Sequence, residues 1–212
     1  MGLFKKTNLE FGNKYLNVIF NLLETIEENM VSFFQKNSND DNLVLINEIN
    51  EFNNSIFETS VKLNNLLEHL INKNKKYESL SIIPTNLSNL KINYNSKFKN
   101  DYSNILASKL KIIEKIKIQL ISFGIYLIID DFKLNNQKEN IKLNKYDINK
   151  INNLLTNISL SLNILNEYST NNNFINLAMK FTTLKVSSNF NINNFKLIFE
   201  DLVCELNEKL KK

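Results

Sequence analysis

The chain has 212 residues, enough for one domain with a sizeable core and too few for more than two small ones. It holds 41 Asn, 26 Ile and 26 Lys against two Ala, three Gly, one Pro and no Arg or Trp. The common residues have A/T-rich codons and the rare ones G/C-rich codons, which points to a nucleotide-biased genome and excludes reading Asn richness as prion-like character or Ile richness as strand preference. The net charge of +4 divides into −5 over residues 1–72, +8 over 73–150 and +1 over 151–212.

In chain order, the first signal is "MGLFKKT", where Gly2 followed by Lys5 and Lys6 resembles an N-myristoylation start with a basic supplement. Lys6 occupies the place where that motif wants Ser or Thr, so an acylated, peripheral membrane protein is a secondary reading. No secretory h-region follows, and the single cysteine cannot form an internal disulfide, so an intracellular, cytoplasmic setting is expected.

Apolar residues at steps of three and four then predict two long helices. The first carries Leu16, Ile19, Leu23, Ile26, Met30 and Phe33; the second carries Ile49, Phe52, Ile56, Leu63, Leu66 and Leu70. The short polar "NSNDDN" between them, Asn37 to Asn42, predicts an antiparallel hairpin over residues 1–74. Residues 75–100 contain the only proline, Pro84, have weak periodicity and read as an irregular connector that conceals short elements.

The most apolar stretch, "KIIEKIKIQLISFGIYLIIDDF", spans Lys111 to Phe132. Its nearly unbroken apolar run, Ile118 to Ile129, falls short of the roughly 20 residues a bilayer span needs. Leu106, Leu110, Ile113, Ile116, Leu120, Phe123 and Leu127 follow helical spacing, opposed by Lys111, Lys115, Gln119 and Ser122, and beyond Ser122 the polar stripe ends. That pattern predicts a helix running from a surface into the middle of a bundle, with Gly124 admitting a neighbouring helix. Three more helices follow: one capped by Asp147 and carrying Ile148, Ile151, Leu155, Ile158, Leu162 and Leu165; a short one with Phe174, Leu177, Ala178, Phe181 and Leu184; and a last one with Phe195, Ile198, Leu202, Leu206 and Leu210. The expected fold is all-α, a single-domain bundle of about six helices over residues 1–212 around a central apolar helix.

Chemical motifs are sparse. One histidine, His69, is too few for a two-histidine metal site or a Cys–His pair, and glycines only at Gly2, Gly12 and Gly124 leave no phosphate-cradling loop or nucleophile elbow. The carboxylates Glu24, Glu27 and Glu28, Asp40 and Asp41, and Asp130 and Asp131 read as a solvated face, a cap and a helix terminus, and Cys204 as a small buried thiol. No catalytic, metal or cofactor residue is assigned, and a carboxylate-based enzyme is the disfavoured class. Lys91, Lys97, Lys99, Lys109, Lys111, Lys115 and Lys117, interleaved with Tyr94, Phe98 and Tyr102, suit weakly sequence-specific nucleic-acid binding, since no Arg is present to read guanine. The leading expectation is a non-enzymatic interaction or structural protein that uses helix faces or grooves, with a protein partner or self-association.

Overall fold

The structure, a computed structural model, describes residues 11, 13–36, 42–73, 83–93, 98–135, 139–168 and 174–211. Helices α1 (Lys14–Lys36), α2 (Asn42–Lys73), α3 (Ile83–Ser88), α4 (Phe98–Asn135), α5 (Lys145–Glu167), α6 (Ile175–Thr183) and α7 (Ile192–Lys211) carry the architecture. Strands β1 (Asn140–Lys142) and β2 (Asn189–Asn191) form the one small sheet among the described residues, antiparallel, with Ile141 opposite Phe190. The fold is all-α, as expected. It divides into two compact units, Val18–Ile116, and Lys117–Lys212 together with the chain up to Asn17; the division falls inside α1 and α4, not in a linker.

In Val18–Ile116, α1 buries Ile19, Leu23, Ile26, Met30 and Phe33 as its spacing predicts, and Phe33 stacks on Phe52 of α2 at 4.8 Å between ring centroids. Helix α2 buries Ile49, Phe52, Ile56, Leu63 and Leu70, but Leu67 takes the place expected for Leu66. Both leucines satisfy a three-or-four step. Leu67, however, lies about three whole turns from Ile56, whereas Leu66 is rotated roughly 80° away from it. The expected irregular stretch contains α3, with Pro84 in the first turn, where its missing N–H costs nothing. Residues 74–82 and 94–97 lie outside the described residues, as does the connector 37–41.

After α3 the chain is held by side chains. Asn53 of α2 donates through Nδ2 to the Ile92 carbonyl at 2.8 Å and accepts from the Ile92 N–H through Oδ1 at 2.9 Å. Its amide thus pairs with both the N–H and the C=O of one residue, as a neighbouring antiparallel strand would. Lys109 of α4 adds two bonds, donating to the carbonyls of Asn89 at 2.6 Å and Lys91 at 2.8 Å.

In the other unit the far half of α4 has no exposed residue from Lys117 to Asp130. The sequence reading of this stretch as a helix that leaves solvent behind holds, and no helix among the described residues is long and apolar enough to cross a membrane. Gly124 is explained differently from expectation: the ring of Phe11, not a neighbouring helix, fills its missing side chain. A Cβ there would lie 3.2 Å from Phe11 Cε1 and overlap Cδ1. Phe11 is fully buried, and its N–H is accepted by Asn17 Oδ1 at 2.9 Å.

Helix α5 starts one turn earlier than expected. Its N-cap is Asn144, whose Oδ1 accepts the Asp147 N–H at 2.8 Å; Asp147 sits inside the first turn, where its charge suits the helix dipole. Asn166 caps the entry to α6 by accepting the Phe174 N–H, and Asn152 clasps Val186 through both its amide groups, at 3.1 and 2.8 Å. Helix α7 turns Phe199, not Ile198, inward, so that Phe199 meets Phe181, Phe195 and Tyr126 at 6.2, 5.9 and 5.1 Å between centroids. Each such aromatic pair adds about 1 kcal/mol to simple area burial.

Two outcomes follow from this packing. Asn53→Ala and Asn152→Ala each orphan one buried-side N–H and carbonyl, and chemical denaturation should show about 1–3 kcal/mol of lost stability, while Asn163→Ala on the exposed face of α5 stays within about 0.5 kcal/mol of wild type. Gly124→Ala should cost about 1–3 kcal/mol through overlap with Phe11, against the roughly 1 kcal/mol that alanine gains in helix propensity. In a Phe11→Leu background the same change becomes neutral or stabilising, and a double-mutant cycle measures the coupling.

Candidate functional site

Helices α6 and α7 pack so that an open groove of about 410 Å³ runs between them. Leu184, Ile198 and Leu202 supply its apolar floor, and Lys180, Thr183, Asp201 and Glu205 line its edges. The register of α7 creates this arrangement. Because Phe195, Phe199, Leu202 and Leu206 face the core, Ile198 is left at 39 % exposure and Leu197 at 62 %, on the side that also presents Asp201 and Glu205.

Charge is distributed unevenly around the groove. Lys180 Nζ sits 2.6 Å from Glu205 Oε2, an exposed pair that ties α6 to α7, and Lys196 pairs with Glu200 at 3.5 Å along α7. Thr183 donates its hydroxyl to the Lys180 carbonyl and so is internally satisfied. Asp201 and Glu208 add further exposed carboxylates, which leaves the outer surface of α7 acidic. No set of three or more His, Cys, Asp or Glu among the described residues is placed to hold a metal ion.

Cys204 is exposed, contrary to the buried thiol expected from its neighbour Val203. It lies half a turn away from the inward row of Phe195, Phe199, Leu202 and Leu206. Beside it, the half-buried Tyr126 is pushed up to about 12, first by burial and then by the nearby Glu200 and Cys204.

The seven lysines of the sequence reading have different fates. Lys91 is exposed, but Lys109 spends its ammonium on two carbonyls and its pKa is lowered by burial. Lys115 is lowered too, by burial first and then by Lys111 one turn back on the same helix; both are partly buried. Lys117 is buried. Lys97 and Tyr94 lie outside the described residues, as do Gly2 and the side chains of Lys99, Phe98 and Tyr102.

The carboxylate reading is corrected in part: Glu24 and Glu27 are buried on α1 and only Glu28 faces solvent. They share the inward arc with Leu23, Ile26 and Met30, so spacing alone marks them as core positions. Each engages a polar or electrostatic partner, as burial of a charge requires. Asp40 and Asp41 lie outside the described residues; Asp130 and Asp131 occupy the last turns of α4, near the terminus they were expected to mark.

Comparison with protein-family models, with curated proteins and with solved structures finds no match to this chain.

The Tyr126 environment has a measurable signature. A phenol raised in the folded state contributes stability below its unfolded pKa of about 10 and loses it as pH rises toward 12. Tyr126→Phe should therefore flatten that decline relative to wild type, by about 1 kcal/mol at pH 12 after allowing for solvent screening of a half-exposed ring, in denaturant titrations run from pH 9 to 12.

Proposed function

We propose that this chain is an interaction protein that seats an amphipathic, basic helix of a protein partner in the α6–α7 groove. The observation that carries this reading is the groove itself: an apolar floor that exposes Ile198, edged by the carboxylates of Asp201 and Glu205. An apolar side chain lowered onto Leu184, Ile198 and Leu202 gains about 25 cal/mol for each Å² it takes out of water. Lysine or arginine one turn away on the same helix would meet Asp201, which fixes register and favours basic partners.

Three rival readings fit less well. The groove is open along its length, so a small molecule would stay largely in water there, whereas ligand sites normally enclose most of their ligand. For an enzyme, the two lining carboxylates stand one turn apart on a single helix and Glu205 is already committed to Lys180. Nucleic-acid binding loses two of its seven lysines, Lys109 to backbone carbonyls and Lys117 to burial.

A displayed library of helical peptides tests the proposal without a known partner. Sequences selected on the full chain should be amphipathic with Lys or Arg flanking the apolar row, and Ile198→Glu and Asp201→Lys should each weaken the best binder at least tenfold with the melting temperature unchanged. Enrichment of acidic or non-helical sequences, or binding indifferent to both substitutions, overturns it.

A further inference from the structure

Helix α2 presents a second surface whose chemistry differs from that of the groove. Phe57 is 69 % exposed, Val61 41 % and Ile46 37 %, and helical spacing puts the three on one row. Exposed Asn50, Asn54 and Glu68 fill the rest of that row. A phenylalanine this open on an otherwise well-buried helix stands out because α2 turns Ile49, Phe52, Ile56, Leu63, Leu67 and Leu70 to its core. A parallel row beside the apolar one carries Glu51, Glu58, Lys62 and His69, all exposed.

The order of that second row selects the occupant. Its centre, Glu58 followed by Lys62, runs acid then base in one direction and base then acid in reverse. A row of this kind is complementary to itself when a second copy lies against it antiparallel. In a two-fold antiparallel helix pair, matching flanks face each other, because the axis keeps each flank on its own side.

We propose that a second copy of this chain docks on α2 through such a pair, with the two-fold axis level with Thr59 and Ser60. That axis sets Phe57 against Val61 of the other copy, twice. It also places Glu58 beside Lys62, a pair that occurs twice. At this axis the two members of each pair are offset by about 1.5 Å along the helices, which their side chains span. Parallel pairing about an axis along the helices would instead put this row on opposite sides of the pair, so Glu58 and Lys62 would not meet across it. One helix face buries less than the roughly 1,200 Å² of a standard stable interface, so the dimer is expected to be reversible and concentration-dependent.

Sedimentation equilibrium of the full chain across a range from micromolar to millimolar tests this. The apparent mass should rise from 24.8 kDa toward twice that value. Phe57→Glu should hold it at the monomer with an unchanged melting temperature, since the ring is not part of the core. Glu58→Lys and Lys62→Glu should each weaken association at least threefold. The variant carrying both changes regains it, and the two single variants mixed together associate more tightly than either alone. A monomer at every concentration overturns the proposal. So does a dimer indifferent to Phe57→Glu, or one that the combined E58K and K62E change fails to restore, which would place self-association elsewhere or in another register.

Discussion

From Lys109 to Asp130 no residue of α4 reaches full exposure, and that constraint governs much else in the molecule. A helix buried on every side cannot be stabilised by one apolar stripe; it needs partners around its whole circumference. The requirement accounts for Phe11, which lies ahead of α1 yet is fully buried against Gly124, and for the aromatic group of Phe181, Phe195 and Phe199 that Tyr126 joins. It also makes the polar residues of α4 expensive. Glu114 is 1 % exposed and Lys117 9 % exposed, and a charge at such depth is tolerated only with a partner, which both have.

The abundance of asparagine has two explanations that operate at different levels. Nucleotide bias accounts for there being 41 of them, and most of those whose burial is described are exposed, where identity matters little. A few are placed where no other side chain would serve. Asn53 and Asn152 each offer one donor and one acceptor in a plane, and each satisfies the N–H and C=O of one residue outside any ladder. Asn144 and Asn166 do half of this at helix entries. Composition therefore hides function in plain sight: a residue discounted as background in bulk is specific at these positions.

Helical periodicity made the all-α class, the long helices and the burial of α4 legible, because each apolar row extends over several turns and errors average out. It failed where two candidates stood side by side. Leu66 with Leu67 and Ile198 with Phe199 both fit steps of three and four, and only the phase of the whole helix chooses between them. The error in α7 mattered most, since it hid Ile198, the floor of the groove, inside an imagined core and buried Cys204 as well. Short elements were illegible for another reason. Helix α3 and the three-residue strands are stabilised by contacts from distant segments, such as the pairing of Ile141 with Phe190, so little local pattern announces them. Glu24 and Glu27 show the converse: their positions matched the core, but acidic residues default to solvent in any reading from composition.

The two surfaces exposed by α7 and α2 differ in a way that decides what each accepts. On α7, Glu200, Asp201, Glu205 and Glu208 share the outer side, and two copies brought together there would set carboxylate against carboxylate. On the proposed reading the occupant of that groove carries the opposite sign, and so is a different chain or a different segment. On α2 both signs are present in an order that reversal converts into its own complement, so the same molecule fits. Apolar exposure alone would not distinguish these cases, since Ile198 on one and Val61 on the other are nearly equally open. It is the sequence of charges beside the apolar row that separates the surface proposed for a foreign helix from the one proposed for a second copy.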